Sequence, residues 1–173
     1  MSDVEARVYE RLRELEIPFE AAAHEAVHTI EDCAVAERLL GARMPKNLFL
    51  TPRNQSAFYL LIVRGEAEFR TADISKQIGS SRLSFASAEK LMELMRTLPG
   101  AISPMGLLFD AEHRIRLLID SALKDEPALV FHPCVNTASL RLTNADFFGR
   151  YLPALNYAPE WVEIHDFKNQ TEE

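Results

Sequence analysis

Hydrophobic residues near the start of the chain recur at helical spacing. Ser2 and Glu5 have the spacing of a capping box, and valines and leucines then recur every three or four residues until Pro18. This pattern predicts an amphipathic helix over residues 3–16. Residues 29–41 open on a threonine cap and end on a glycine, which predicts a second helix.

Short apolar runs rich in β-branched and aromatic residues predict strands further along the chain. Residues 47–51 and 57–63 flank the turn-like sequence PRNQS and predict a hairpin. Further strands are predicted at 19–23, 82–85, 107–109, 115–120, 129–131 and 139–142, and further helices at 72–78, at 87–98 and from Asn144 to about Tyr151. Because helices and strands alternate irregularly, we expect an α+β (mixed α/β) single domain whose mixed, mostly antiparallel sheet is flanked by helices.

Composition is consistent with one compact domain. The 173 residues are 47% hydrophobic, enough for a sizeable core, and one domain is expected over residues 1–173, with a frayed acidic tail at about 168–173. The formal charge of −7 argues against a general DNA or RNA coat. Residues 38–82, however, carry eight basic and three acidic side chains, a net of +5 that leaves −12 for the remainder. This asymmetry indicates either a polyanionic partner on one face or scattered solvated charge.

The cysteines and the hydropathy pattern bear on the cellular environment. Cys33 and Cys134 are far apart and have no CxxC or Cys/His spacing, which argues against a disulfide framework and a structural zinc site. No apolar run reaches about 18 residues, so neither a signal peptide nor a membrane span is predicted. We expect a soluble cytoplasmic protein without a membrane partner.

Common catalytic motifs are missing from the sequence. It contains no P-loop, GxGxxG, HExxH or GxSxG motif, which disfavours nucleotide hydrolases, zinc proteases and α/β-hydrolases. Four segments instead combine polar groups with apolar strands: HEAVHT at 24–29, MPKNLFL at 44–50, LPGAISPMGL at 98–107 and FHPCVNT at 131–137. His24 and His28 lack an evident third ligand, so no metal is expected.

Three of these segments carry candidate functional residues, each with a simpler structural alternative. Lys46 opens an apolar strand, either as an edge lysine that reaches water or as a ligand for an anion or carbonyl. The Gly100-to-Pro104 GxxxP segment is either an ordinary turn or a backbone N–H cradle for an oxyanion or phosphate. His132 either fills a half-buried site or acts as a donor or general acid/base, with Asn136 orienting the ligand.

Together these segments resemble the YbaK/prolyl-tRNA synthetase-associated domain family, also called the INS-like editing family, and most closely its free-standing ProX/PrdX (ProXp-ala) group. The resemblance extends from about Arg7 to Leu152 and includes HEAVHTIEDC, KNLFLTPRN, RLSFASAEKLMELM, PGAISPMGLLFD and FHPCVNTASLRLT in that order. The chain departs from the common pattern at Ala26, where proline is frequent, and in the Ala101-Ile102 and Met105 positions of the PGSVSPFGL-like segment. These changes affect the shape of the pocket more than its polar set.

The resemblance implies an aminoacyl-tRNA deacylase with a single α/β domain and no cofactor. Free-standing members hydrolyse Ala-tRNA(Pro) in trans, so the expected partner is the acceptor end of mischarged tRNA(Pro), with prolyl-tRNA synthetase as a second candidate and DNA excluded. The functional residues it implies are Lys46, Gly100 and His132, with Asn136 as the accompanying asparagine. The substrate pocket is expected to include Val27, Thr29, Phe49, Ile102, Ser103, Pro104 and Asn136. The acceptor stem is expected to meet Arg43, Arg53, Arg64 and Arg70.

The expected chemistry is attack by water in a small, size-selective pocket. An apolar pocket for proline rejects a smaller residue by only roughly 1–3 kcal/mol per methylene, which makes a second, smaller sieve useful. No Ser/His/Asp or Cys/His pair is identifiable in the sequence, so a covalent acyl-enzyme is not expected, and Cys134 is interpreted as a packed residue. Three alternatives remain: a non-catalytic tRNA- or synthetase-binding module of the same fold, a deacylase for Cys- or Ser-tRNA, and a small-molecule hydrolase.

Overall fold

The computed structural model describes residues 1–166. The predicted frayed tail at 168–173 lies outside the described residues. In chain order the elements are α1 (Asp3–Glu14), β1 (Glu20–Ala23), α2 (Ile30–Leu40), β2 (Lys46–Pro52), β3 (Phe58–Val63), α3 (Thr71–Ile78), β4 (Leu83–Phe85), α4 (Ala88–Met95), a 3-10 helix (Pro104–Phe109), β5 (Ile115–Asp120), a second 3-10 helix (Ser121–Asp125), β6 (Ala128–Phe131), β7 (Ala138–Thr143), α5 (Asn144–Asp146), a π-helical stretch (Phe147–Tyr151), α6 (Leu152–Ala154) and β8 (Glu160–Val162).

The first two helices begin where their capping residues predict. The Ser2 hydroxyl accepts a hydrogen bond from the Glu5 N–H at the start of α1. At α2 the capping box is reciprocal, because Thr29 Oγ1 accepts from the Asp32 N–H and the Asp32 carboxylate accepts from the Thr29 N–H. Gly41 ends α2 in the left-handed conformation, with φ of 66°.

The strands form two sheets. The larger has the order β4-β2-β3-β5-β8, in which β2 is antiparallel to β4 and β3, whereas β3, β5 and β8 are parallel. The smaller sheet, β1-β7-β6, is antiparallel throughout. An isolated parallel bridge between Arg43 and Leu129 connects the segment before β2 to the smaller sheet. The predicted α+β class with a mixed, mostly antiparallel sheet is confirmed, although the strands divide between two sheets.

The hydrophobic core lies on both faces of the larger sheet. Every residue of β3 is buried, as expected for the central strand of a five-stranded sheet. On one face Phe49 of β2 packs with residues of α1, α4 and β6, and on the other Leu50 packs beneath α3. The larger sheet therefore forms a rigid support for the residues at the ends of its strands.

Three predicted elements in the second half of the chain were wrong in type or extent. Residues 107–109 belong to a 3-10 helix, because Ser103 caps it and Pro104 at its first turn lacks an N–H that a strand would need. The helix predicted over 87–98 ends at Met95, since Arg96 adopts a left-handed φ of 51°.

The last helix also differs from the prediction. Its cap is Thr143, whose hydroxyl accepts from the Asp146 N–H, while the Asn144 amide donates to the Leu123 and Lys124 carbonyls. The helix passes through the π-helical stretch and continues past Tyr151 as α6. Strand β8 was not predicted at all.

Candidate functional site

A cavity of about 610 Å³ opens where the start of β2 meets helix α2 and the loops that contain residues 27–29, 65–66, 100–102 and 132. Its volume lies within the range of small-molecule sites, roughly 300–1,000 Å³. The wall is formed by Val27, His28, Thr29, Cys33, Ala34, Glu37, Arg43, Met44, Pro45, Lys46, Asn47, Leu48, Gly65, Glu66, Gly100, Ile102 and His132. Residues far apart in sequence thus converge on one concave surface, and all three predicted functional residues are among them.

Lys46 is the first residue of β2 and is half-buried in the cavity wall. Its Nζ donates to the Ala67 carbonyl oxygen at 2.7 Å, which fixes the direction of the side chain. None of the ion pairs formed by the described residues includes Lys46, although Glu37 and Glu66 also line the cavity. An ammonium held in this way retains two N–H groups for an anionic or carbonyl oxygen.

Gly100 lies in a tight turn at the cavity wall. The Ala101 N–H donates to the Leu98 carbonyl oxygen at 3.0 Å, Pro99 occupies the second position, and Gly100 has φ of 91°. These are the features of a type II turn, whose third position requires a positive φ and therefore favours glycine. Among the described residues no acceptor is found for the N–H groups of Gly100 and Ile102, so two backbone donors are available at this wall.

His132 follows β6 and is buried, with 5% of its surface exposed. Its Nδ1 lies 2.8 Å from the Ala138 carbonyl oxygen. Because a carbonyl oxygen only accepts, Nδ1 carries the proton, and the neutral ring presents Nε2 as an acceptor. Burial lowers the pKa of His132 below its ordinary value, an effect that the Ala138 hydrogen bond partly opposes. The ring is therefore neutral at pH 7.

A serine and a second histidine support His132 from behind. His24 Nδ1 donates to the Glu25 carbonyl oxygen at 2.7 Å, so its Nε2 accepts from the Ser139 hydroxyl at 2.8 Å. The Ser139 oxygen lies 3.5 Å from His132 Nδ1. The structure thus contains a Ser–His pair that the sequence did not reveal. Ser139 is fully buried and does not line the cavity, so it has no access to a ligand as a nucleophile.

The predicted pocket residues divide into two groups. Val27, Thr29 and Ile102 line the cavity, whereas Phe49, Ser103, Pro104 and Asn136 do not. Phe49 stacks on Phe58 in the core, with ring centroids 5.7 Å apart, and packs there with other buried hydrophobic residues.

The remaining three predicted pocket residues have structural contacts around the cavity. Ser103 and Pro104 are buried at the start of the 3-10 helix, where the Ser103 hydroxyl accepts from the Met105 N–H. The Asn136 amide donates to the Val27 carbonyl oxygen at 3.2 Å, and the Val27 N–H donates to the Asn136 carbonyl oxygen at 3.0 Å. Asn136 therefore holds the 24–29 loop against the 132–137 loop.

The four predicted tRNA-binding arginines do not share one environment. Arg43 lies at the cavity and forms exposed ion pairs with Glu66 and Glu126. Arg64 is engaged internally, since its Nε donates to the buried Asp120 carboxylate at 2.7 Å.

The other two arginines are exposed and do not line the cavity. Arg53 is in the β2–β3 turn, about 23 Å along the strand from Lys46 at the usual rise per residue. Arg70 is exposed immediately before α3. Arg43 is therefore the only one of the four predicted arginines in the cavity wall.

Several cavity residues were not predicted from the sequence. Glu37 of α2 lines the wall, and its carboxylate accepts from the Met44 N–H at 2.8 Å. Asn47 also lines it, with a side-chain oxygen that is buried and lacks a partner among the described residues. Polar residues beside Lys46 on a strand were a usable signal for Asn47. Glu37 had none, since a glutamate on a helix is ordinarily solvated.

The thiols are poor nucleophiles in this environment. Burial raises the pKa of the Cys134 thiol to about 12. Burial and the nearby Glu37 raise the pKa of Cys33, which lies on the cavity wall. Both thiols are therefore protonated at pH 7. Residues 1–166 contain no group of three metal-ligating side chains, and no helix in this range is long and apolar enough to cross a membrane.

Comparison with known proteins finds relatives of this chain in both sequence and structure. In sequence, the chain is 29% identical over 144 residues to the prolyl-tRNA editing protein ProX of Acetoanaerobium sticklandii, covering 83% of this chain and 88% of the relative. It is likewise 29% identical to the mouse (Mus musculus) prolyl-tRNA synthetase associated domain-containing protein 1, covering 84% and 88%. In structure, it matches a protein solved as a candidate trans-editing enzyme for prolyl tRNA synthetase, with a TM-score of 0.73, 18% identity and coverage of 96% and 99%.

A family model provides the decisive match. The model of the aminoacyl-tRNA editing domain matches residues 24–149, which include every residue of the cavity wall. The chain therefore belongs to the aminoacyl-tRNA editing domain family, as its motifs predicted, and is by class a hydrolase of mischarged aminoacyl-tRNA.

Proposed function

We propose that the chain is a trans-editing deacylase that hydrolyses the ester of mischarged tRNA(Pro), with Ala-tRNA(Pro) as its preferred substrate. The observation that carries this proposal is the convergence of Lys46, the Gly100 turn and His132 on one cavity. The names of the relatives, a prolyl-tRNA editing protein and proteins associated with prolyl-tRNA synthetase, support the choice of tRNA(Pro). The chain also matches a proline–tRNA ligase of Bacillus licheniformis over only 16% of that enzyme's length.

Each of the three residues offers a different contact to an aminoacyl ester at the end of tRNA. The free N–H groups of Lys46 orient the substrate through its terminal phosphate or ester carbonyl. The N–H groups of Gly100 and Ile102 stabilise the oxyanion or order the attacking water. The Nε2 of neutral His132 accepts a hydrogen bond from the ribose of the terminal adenosine, since Nδ1 is already occupied.

Water is the nucleophile in this proposal. Its oxygen bonds to the ester carbonyl carbon, the C–O bond to the ribose breaks, and the ribose oxygen takes up a proton. The products are free alanine and uncharged tRNA(Pro). A covalent acyl-enzyme is disfavoured because both thiols are protonated and Ser139 is buried behind His132. The proton that the water loses is taken up by the departing ribose oxygen, and the neighbouring ribose 2′-OH relays it by accepting that proton as it gives up its own.

Selection of alanine over proline would rest on volume. Val27 and Ile102 are apolar and contribute to the cavity wall beside Gly100. The cavity as a whole is large enough for a proline ring, so we expect the part beside these side chains, and not the total volume, to discriminate by bulk against proline and in favour of alanine. Thr29 adds a hydroxyl whose oxygen already caps α2 by accepting from the Asp32 N–H.

A deacylation panel tests this function. The purified chain is incubated with Ala-, Cys-, Ser- and Pro-tRNA(Pro), and with alanine ethyl ester as a substrate that lacks tRNA. We expect fast hydrolysis of Ala-tRNA(Pro), slow hydrolysis of Pro-tRNA(Pro) and none of the free ester. Preference for Cys- or Ser-tRNA would refute the choice of alanine. Equal turnover of the free ester would indicate a small-molecule hydrolase, and binding without turnover would indicate a non-catalytic module.

A further inference from the structure

Thr97, which lies between α4 and the Gly100 turn, is buried and makes an unusual pair of contacts. Only 1% of its surface is exposed. Its Oγ1 lies 3.1 Å from the Ala101 carbonyl oxygen and 3.1 Å from the Cys134 carbonyl oxygen. Among the described residues neither carbonyl has another hydrogen-bond donor. The single hydroxyl proton is therefore shared, as a bifurcated hydrogen bond, between two otherwise unpaired backbone acceptors.

The two carbonyls belong to the two loops that supply Gly100 and His132. Ala101 closes the type II turn through its N–H bond to the Leu98 carbonyl oxygen. Cys134 lies two residues after His132 and has φ of 63°, an uncommon conformation for a residue other than glycine. The loop after His132 thus has a strained backbone that its surroundings must hold in place.

Thr97 is well placed to supply this constraint. No direct hydrogen bond between these two loops is found among the described residues other than through its hydroxyl. Thr97 lies outside the wall of the 610 Å³ cavity, so it does not contact a ligand there. Its influence on that cavity is exerted through the backbone of its neighbours.

We propose that Thr97 is a positioning residue that sets the separation between the Gly100 N–H group and the His132 ring. The inference rests on the proposed deacylase function and adds to it a residue that determines the rate without touching the substrate. A hydroxyl shared between two carbonyls restrains both loops, whereas a methyl group in its place lets them separate. Displacement of a reacting group by about 1 Å is enough to lower turnover roughly 100-fold.

The test compares Thr97→Val, which keeps the side-chain shape, with Thr97→Ser, which keeps the hydroxyl. We expect Thr97→Val to lower kcat on Ala-tRNA(Pro) by about 10- to 100-fold, with KM changed less than about threefold. Thr97→Ser should retain kcat within about threefold of the wild type. A purely structural role would lower the melting temperature without this difference between kcat and KM.

Thr51→Val is the matched control. Thr51 is also buried, and its Oγ1 donates to the Ala57 carbonyl oxygen at 2.8 Å, but it lies near the far end of β2 from the cavity. This variant should lose stability and keep wild-type kcat. Thr97→Cys, with a weaker donor, gives a severalfold lower kcat in a folded protein if Thr97→Val does not fold.

The outcomes separate the two proposals. An unchanged kcat in Thr97→Val, or in Thr97→Cys where the valine variant is unfolded, overturns the positioning role while leaving the deacylase function intact. An equal kcat loss in Thr51→Val and Thr97→Val overturns it as well. Absence of wild-type turnover on every charged tRNA overturns the proposed function and this inference together.

Discussion

Replacing Lys46 with methionine removes the ammonium group at the start of β2 and keeps most of the apolar stem of the side chain. In the structure one N–H group of Nζ donates to the Ala67 carbonyl oxygen, which leaves two for substrate. A hydrogen bond from a charged donor contributes about 1.5–3 kcal/mol, which corresponds to roughly 10- to 150-fold in kcat/KM for each bond lost. We therefore expect Lys46→Met to lower kcat/KM on Ala-tRNA(Pro) by about 100-fold.

The same substitution should have little effect on stability. The lost bond to Ala67 lies at a half-buried position, so we expect a cost of about 1 kcal/mol and a fall in melting temperature of about 2–4 °C. Single-turnover deacylation and thermal unfolding, measured on the same preparation, separate the two effects. Lys76→Met on the exposed part of α3 is the matched control and should match the wild type in both. A Lys46→Met variant that retains more than about half of kcat/KM would identify the lysine as an edge residue reaching water.

Three further outcomes follow from the cavity. Ile102→Ala should raise activity on a larger acyl group on tRNA(Pro) while Ala-tRNA(Pro) is still cleaved; an unchanged preference in a folded variant would contradict the size sieve. Arg43→Glu should raise KM for charged tRNA and reduce the slope of log KM against log salt concentration by about the value of one phosphate contact. The same charge reversal at Arg53, at the far end of β2, should change neither quantity. Because the pKa of His132 is lowered from 6.5, deacylation activity should persist below pH 6.5. The free energy of unfolding should fall as the pH drops from 6.5 towards the pKa of His132 in the folded state. A loss of activity with an apparent pKa at or above 6.5 would contradict a neutral His132.

Local signals predicted the first two helices well because their determinants are adjacent in sequence. The capping residues Ser2 and Thr29 and the left-handed Gly41 each act within one turn of helix. The division of strands into two sheets had no such signal, since β1 pairs with β7 across more than a hundred residues. Strand β8 was missed because it has only three residues, two of them exposed.

In the candidate site, too, local motifs gave predictions, whereas contacts between distant residues did not. Lys46, Gly100 and His132 were predicted because their motifs carry unusual chemistry for their positions, and all three line the cavity. Phe49, which was predicted for the pocket, stacks on Phe58 in the core, and strand alternation puts it on the face of β2 opposite Lys46. The internal role of Arg64 was not predictable, because its partner Asp120 lies 56 residues away and is brought close only by the parallel pairing of β3 and β5.

The bridge between the two sheets uses backbone atoms, so the charge at Arg43 can be changed without moving the other residues of the cavity. Lys46 begins β2 of the larger sheet, whereas His132 follows β6 of the smaller sheet. The segment before β2 reaches the smaller sheet through the Val130 N–H, which donates to the Arg43 carbonyl oxygen at 2.9 Å. This contact uses only the backbone of Arg43, while its exposed side chain forms ion pairs that contribute at most about 1 kcal/mol. Reversing the charge of Arg43 should therefore leave Lys46 and His132 in place, so a change in KM for that variant reports on tRNA binding and not on a displaced site.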